Sequence, residues 1–123
     1  MAHYEKFEDL PIWQAARTLT KEIYLLTGSN SFRGDTGLRS QIQRAAVSIV
    51  SNIAEGFERR SDREFIHFLN IAKASAGEVR AQLYVSLDIG YLNEQQQIQL
   101  NKSVLELCSQ IAGLMRYLEN KDK

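Results

Sequence analysis

The chain of 123 residues contains a single cysteine, Cys108, and a single proline, Pro11. One cysteine cannot form an internal disulfide, which is typical of a protein from a reducing compartment. Neither sign of charge is in excess, because 15 lysines and arginines are balanced by 15 aspartates and glutamates. A dedicated nucleic-acid binder usually carries surplus positive charge, so any contact with phosphate must come from a local cluster.

Long apolar runs are also missing. The longest uncharged runs, such as residues 45–54, reach ten residues, whereas a membrane-spanning helix needs about 20. The first residues, MAHYEKFEDLP, contain acids and no apolar stretch, unlike a signal peptide. We therefore expect a cytoplasmic protein with no membrane partner, folded as one domain over residues 1–123.

Apolar residues recur at spacings of three and four and predict four helices, while no useful segment alternates with period two. Pro11 suits the first turn of a helix over 11–27. The other predicted helices cover 36–56, 61–90 and 93–119, with a loop from Gly28 to Gly37 between the first two. Ser61 and Glu64 form the S-x-x-E pattern of a capping box at the start of the third helix. Short turns between the later helices favour an all-α, antiparallel up-down four-helix bundle.

The second predicted helix carries two different stripes. Its apolar face centres on Ile42 and Ile49, and a polar ridge lies beside it. The ridge comprises Gln41, Ser48, Asn52 and Glu55. We interpret it as a structural contact, in which Arg59 or an arginine of another helix or subunit holds the Glu55 carboxylate. The alternative is an ordinary solvated face.

The fourth predicted helix has more apolar residues than one core needs. We predict a core stripe of Val104, Cys108, Ile111, Met115 and Leu118, and two further sets repeat every seven residues: Leu100, Leu107 and Leu114, and Ile98, Leu105 and Ala112. A weaker second stripe on the third helix contains Ile71, Ala74, Val85 and Ile89. Such wide apolar helices favour self-association, and the alternative is a wide monomeric core.

Signals for catalysis or metal binding are weak. Glu64 and His67 form one E-x-x-H pair, whereas di-iron bundles need two such pairs and further glutamates. Cys108 lies on the predicted core stripe with no histidine near it in sequence. Glycine-rich phosphate loops, G-x-S-x-G and C-x-x-C are missing. We predict no catalytic residues, no metal site, no cofactor and no enzyme.

Four arginines are candidate contacts for a nucleic acid or a protein partner: Arg44, Arg59, Arg60 and Arg63. The last three surround the turn between the second and third helices, where Glu58, Asp62 and Glu64 dilute their charge. The patch is therefore weak in a monomer, but repetition around an oligomer would raise its avidity. The simpler interpretation is a charged turn with a capping box.

The chain resembles the ribosomal-RNA intervening-sequence protein family, whose members are called four helix bundle proteins. The resemblance covers about residues 7–118 and depends on N-I-A-E-G at 52–56, E-F-x-x-F-L at 64–69 and D-L-P-I-W-Q-A-A at 9–16. It implies an antiparallel four-helix bundle that assembles into a ring, expected to be a pentamer. A related branch comprises accessory proteins of diversity-generating retroelements, which work with nucleic acid.

Two functions remain open from the sequence. The first is an oligomeric, non-enzymatic scaffold that associates with RNA or DNA, or with a protein that handles them. The second is a protein-interaction scaffold with no nucleic-acid role. The association of the family's related retroelement branch with nucleic acid favours the first function. The neutral charge of the chain favours the second.

Overall fold

The computed structural model describes residues 3–121, and all regular structure within them is helical. A short 3-10 turn, Phe7–Asp9, leads into five α-helices. They are α1 (Pro11–Thr27), α2 (Asn30–Gly34), α3 (Thr36–Phe57), α4 (Asp62–Asp88) and α5 (Glu94–Asn120). The predicted all-α class is confirmed. Over the same residues, none of the helices combines the length and the hydrophobicity needed to cross a membrane.

The four long helices form a bundle in which each one has two neighbours. Both α1 and α4 pack against α3 and α5, which places α1 diagonally opposite α4. Hydrogen bonds between side chains show that α3 and α4 run antiparallel. Ser48 pairs with Ser75, whereas Gln41, which lies earlier on α3, pairs with Gln82, which lies later on α4. The predicted antiparallel four-helix bundle is confirmed.

Polar side chains cap three of the long helices at their starts. Asp35 Oδ1 accepts a hydrogen bond from the Leu38 amide at 3.0 Å, and Ser61 Oγ accepts one from the Glu64 amide at 3.1 Å. Asn93 and Gln96 form a reciprocal capping box at the start of α5. These bonds satisfy amides that have no acceptor inside the helix, and each cap contributes typically about 1 kcal/mol.

The segment between α1 and α3, predicted as a loop, contains the short helix α2. Phe32 of α2 is fully buried in the core, and its ring lies 5.1 Å from that of Tyr91. A helix of five residues is too short to show a periodic pattern in the sequence. The expectation of a plain loop over residues 28–37 is therefore wrong, because one aromatic side chain anchors this segment.

The core of α5 differs from the predicted stripe. Leu100, Leu107 and Leu114, predicted as surplus, are buried, together with Val104, Ile111 and Leu118. Cys108 and Met115 lie half-buried at the edge of the core. Two neighbouring stripes on one helix both fit the 3.6-residue period, so periodicity did not distinguish them. In α1 the buried residues include Ile12 and Leu19, whereas Trp13 and Thr20 are partly exposed.

Tyr91 ties the turn between α4 and α5 to the start of α3. Its hydroxyl donates a 2.9 Å hydrogen bond to Asp35 Oδ2. The amide of Leu38 and then the Tyr91 hydroxyl hold the pKa of Asp35 below its usual value. The hydrogen bond to Asp35 raises the pKa of Tyr91 above its usual value. This bond stabilises the fold while Asp35 is ionised and Tyr91 is protonated.

We expect Tyr91→Phe to lower the free energy of unfolding at neutral pH, because it removes the hydroxyl donor to Asp35. Because the pKa of Asp35 is lower in the folded protein, its ionisation stabilises the fold above about pH 4. This stabilisation is lost as the pH falls through the lowered pKa of Asp35. The raised pKa of Tyr91 gives stability below about pH 10, which is lost as the pH rises through the raised value. Urea unfolding from pH 3 to 11 should show the parent and variant converging at alkaline pH. A constant difference up to pH 11 would contradict the assigned bond.

Gly56, near the end of α3, lies at a close approach between α3 and α4. A Cβ atom built on Gly56 would lie 2.7 Å from Phe68 Cβ and 2.9 Å from Phe65 Cδ1. Both distances are shorter than real carbon contacts, and Phe68 Cβ is tied to the backbone of α4. Any side chain at position 56 would therefore push the two helices apart.

We expect Gly56→Ala to lower the free energy of unfolding by about 1–3 kcal/mol, the usual cost of overpacking a core. Gly77→Ala is the matched control, because a Cβ there meets no described atom within 4 Å. Replacing that mid-helix glycine should stabilise the protein by up to about 1 kcal/mol. Chemical denaturation measures both changes. Equal effects of the two substitutions would argue against a close contact at Gly56.

Candidate functional site

The predicted polar ridge lies mostly in the contact between α3 and α4. Ser48 Oγ lies 2.8 Å from Ser75 Oγ, and Ser75 is buried. Asn52 Nδ2 donates to the Ser48 carbonyl at 2.8 Å and lies 3.0 Å from Ser48 Oγ. Further along, Gln82 Nε2 donates to Gln41 Oε1 at 3.4 Å. We call Gln41, Ser48, Asn52 and Ser75 the polar seam, and it joins the two helices.

The polar seam follows from the small side chains that face α4. Ala45, Ser48 and Gly56 are small enough for the α4 backbone to come close. A hydroxyl buried at such a contact needs a partner, because an unsatisfied polar group costs about 1–3 kcal/mol. Ser48 and Ser75 provide that partner for each other. The polar seam is therefore satisfied internally, and its bonded atoms are already used within the bundle.

Glu55 is exposed, as is Gln41 near the other end of the ridge. Arg59 Nη2 lies 3.2 Å from Glu55 Oε1, and the side chains are 42% and 54% exposed, respectively. The Arg59 guanidinium also lies 4.7 Å from the centre of the Phe68 ring. The pair offsets the unfavourable position of a carboxylate near a helix C-terminus. Because water screens it, it contributes under about 1 kcal/mol.

The candidate arginines fall in two separate places. Arg44 is exposed in the middle of α3, about 20 Å along the helix from the other three. Arg59, Arg60 and Arg63 are exposed around the turn between α3 and α4. In the same region, Asp62 Oδ2 pairs with Lys121 Nζ at 3.2 Å, and the Glu64 carboxylate lies 3.4 Å from Ser61 Oγ. The structure thus brings together three of the four predicted contacts.

Groups with potential chemical reactivity are not assembled into a site. Burial raises the pKa of Cys108 despite the nearby positive charges of Arg80 and Lys73, so its thiol form is favoured at neutral pH. His67 is exposed, with its ring against the edge of the neighbouring Phe68. Within residues 3–121, no three histidine, cysteine, aspartate or glutamate side chains come close enough to hold a metal ion.

A model of the family described as 23S rRNA-intervening sequence protein matches residues 8–113. The chain belongs to this family. Among solved structures, it is similar to a protein of unknown function from the S23 ribosomal protein family of Bacteroides thetaiotaomicron. The likeness has a TM-score of 0.78 at 22% identity, and covers 85% of this chain and 97% of the other. At this identity it shows a common fold. A comparison with curated protein sequences gives no match.

Sequence reasoning missed Ser75 as the partner of Ser48 in this family member. Ser75 lies between Ala72 and Ala76, on a buried stripe of α4 in which Ser86 is the other polar residue. A partial signal was present, because counting back from the short turn with Phe57 opposite Asp62 places position 48 opposite position 71, one helical turn before Ser75. A serine among core residues of one helix, within a turn of the level of a serine on the next, indicates such a bond.

We expect Glu55→Ala to lower the free energy of unfolding by less than about 1 kcal/mol, because its pair with Arg59 is exposed. Glu58→Ala is the matched control, since the Glu58 side chain forms no hydrogen bond or ion pair with any residue from 3 to 121. Urea unfolding at low and at about 1 M salt should show the difference between the variants disappearing at high salt. A loss of about 3–5 kcal/mol would instead indicate a buried pair.

Proposed function

We propose that this chain is a non-enzymatic helical scaffold that associates with copies of itself and contacts nucleic-acid phosphates through the arginines of one turn. The observation that carries the proposal is the apolar surface on the outward faces of α4 and α5. A helix of a small monomeric bundle normally presents polar residues on this side. Exposed apolar surface of this kind is typical of an interaction site.

The outward face of α4 carries four apolar residues that α3 and α5 leave uncovered. They are Ile71, Ala74, Val85 and Ile89, and Val85 and Ile89 are about half exposed. Their spacing places them on the side of α4 opposite its buried residues. We call this set the α4 patch. It provides one apolar surface for a neighbouring subunit.

The outward face of α5 provides a second and different apolar surface. Ile98 is 58% exposed and Leu105 is 44% exposed, and Ala112 lies half-buried on the same stripe. We call these three residues the α5 patch. A closed ring needs two distinct patches on each subunit, because each patch contacts the other kind on the next subunit. The pentameric ring implied by the family resemblance is compatible with this pair of patches.

The nucleic-acid part of the proposal depends on Arg59, Arg60 and Arg63, with Arg44 farther along α3. One copy of the turn is a weak phosphate site, because Glu58, Asp62 and Glu64 lie among the arginines. A ring would repeat the turn once per subunit on one rim and raise its avidity for a long polyanion. Membership of a family described as 23S rRNA-intervening sequence protein supports RNA as the class of polyanion.

A protein-interaction scaffold with no nucleic-acid role is the second candidate. Its support is the zero formal charge of the chain and the pairing of Arg59 with Glu55 and of Lys121 with Asp62. Pairing of this kind reduces the charge available to phosphate. Both candidates require self-association, so the oligomeric state is the first property to measure.

Sedimentation equilibrium at micromolar concentration should give a mass that is a multiple of 14.0 kDa. We expect Val85→Glu to dissociate the assembly, because the carboxylate would be buried without a partner. Leu25→Glu is the control: Leu25 is equally apolar and 68% exposed, but it lies on α1, diagonally opposite α4. A single 14.0 kDa species for the parent chain would contradict the proposal.

A further inference from the structure

One end of the bundle contains a cavity that combines basic side chains with aromatic rings. It has a volume of about 380 Å³ and lies where the turn after α3, the end of α5 and the N-terminal segment meet. Its lining includes Phe57 and Phe65, whose rings pack edge to face with their centres 6.0 Å apart. Cavities that bind small ligands typically begin at about 300 Å³. This one is large enough for a single small ligand.

The charge around this cavity is positive. Arg59, Arg60 and Lys121 line it, and Asp62 is the one acid among its lining residues. Lys121 and Arg59 are engaged with Asp62 and Glu55, respectively. Arg60 is exposed, and the structure shows no hydrogen bond or ion pair between it and any residue from 3 to 121. Its guanidinium therefore remains available for an anion, and a planar guanidinium suits the oxygens of a phosphate.

Two tyrosines connect the basic cavity to a second, apolar one. Tyr4 and Tyr117 line both cavities, and the second has a volume of about 280 Å³ with Leu10, Pro11 and Ile12 in its walls. Tyr117 is 42% exposed, so its ring presents a surface on which a flat ring can stack. A ligand lying along this wall would meet aromatic surface on one side and the basic rim on the other.

We propose that this cleft binds a nucleoside monophosphate, either free or as the 5′-terminal nucleotide of an RNA strand. Arg60 contacts the phosphate, with Lys121 beside it, and the base stacks against Tyr117. Because any base can stack on a tyrosine ring, the cleft recognises the terminal phosphate and not the base sequence. The inference rests on the nucleic-acid part of the proposed function and names a ligand and a site for it. It does not depend on self-association.

Fluorescence anisotropy tests the proposal with a hexaribonucleotide labelled at its 3′ end. We expect the 5′-phosphorylated form to bind about tenfold more tightly than the 5′-hydroxyl form, since the phosphate adds charge-assisted bonds. Unlabelled AMP should compete with the phosphorylated form. If AMP competes while the two oligonucleotides bind equally, the ligand is the free nucleotide and not the 5′ end of an RNA, and the cleft is still supported. If AMP fails to compete, the cleft does not recognise a single nucleotide and the proposal is wrong.

Matched variants separate the cleft from a diffuse basic patch. We expect Arg60→Gln to weaken binding about tenfold, and Arg116→Gln by less than about twofold, because Arg116 is exposed near the end of α5 but does not line the cavity. Tyr117→Ala should weaken binding, whereas Tyr84→Ala, an equally exposed tyrosine near the other end of α4, should not. Equal losses for the two arginine variants, or for the two tyrosine variants, would overturn the proposal.

Circular dichroism and sedimentation of the same samples establish that each variant is folded and assembled as the parent is. A protein that assembles but binds no 5′-phosphorylated probe contradicts the cleft and leaves the scaffold intact. A monomer that binds the probe through Arg60 contradicts the scaffold and supports the cleft.

Discussion

Ser48 and Ser75 hold α3 and α4 together across 2.8 Å, and Gly56 lets Phe65 and Phe68 approach the end of α3. This close contact runs over much of the length of both helices, from Gln41 and Gln82 at one end to Gly56 at the other. It determines which side of α4 faces the core. The opposite side, with its apolar residues, is consequently directed outward. The surfaces available to other molecules thus depend on how closely α3 and α4 pack.

The same contact separates structural polar groups from those available to a partner. Asn52, Ser48 and Ser75 bond to one another or to backbone within the bundle. Glu55 lies at the Gly56 end of this contact and the arginines of the following turn lie beyond it, where water reaches all of them. A charged side chain that is exposed to water can still bind a second partner, whereas a buried group whose hydrogen bonds are already formed cannot. Three of the four candidate arginines are therefore found at this end of the bundle.

Much of the fold follows from the sequence because its signals are local. Pro11 marks a helix start through its fixed backbone angle, and Ser61 and Asn93 do so through bonds to the amides three residues on, and these starts agree with the structure. The buried face of α3 was also predicted, since Ile42 and Ile49 lie at its centre. By contrast, α2 was missed, because Phe32 is held by contacts with the distant Tyr91 and not by a local pattern. The core of α5 was misplaced because Cys108 and Leu107 fit the helical period equally well.

The candidate site was less predictable than the fold. The sequence shows a cluster of arginines, but the cavity beside Arg60 is completed by Tyr4 from the N-terminal segment and by Tyr117 and Lys121 from the end of α5. No spacing in the sequence connects positions so far apart. The pairing of Arg59 with Glu55 was expected from their four-residue separation, but its exposure could be learned only from the packing of the turn.

A double-mutant cycle on Ser48→Ala and Ser75→Ala tests most directly whether the polar residues of α3 hold it to α4. The free energies of unfolding of the parent, the two single variants and the double variant give the coupling between the two hydroxyls. We predict a coupling of about 0.5–1.5 kcal/mol, the net contribution of one hydrogen bond. Additivity of the two substitutions within about 0.3 kcal/mol would contradict a direct contact between the two helices at this point.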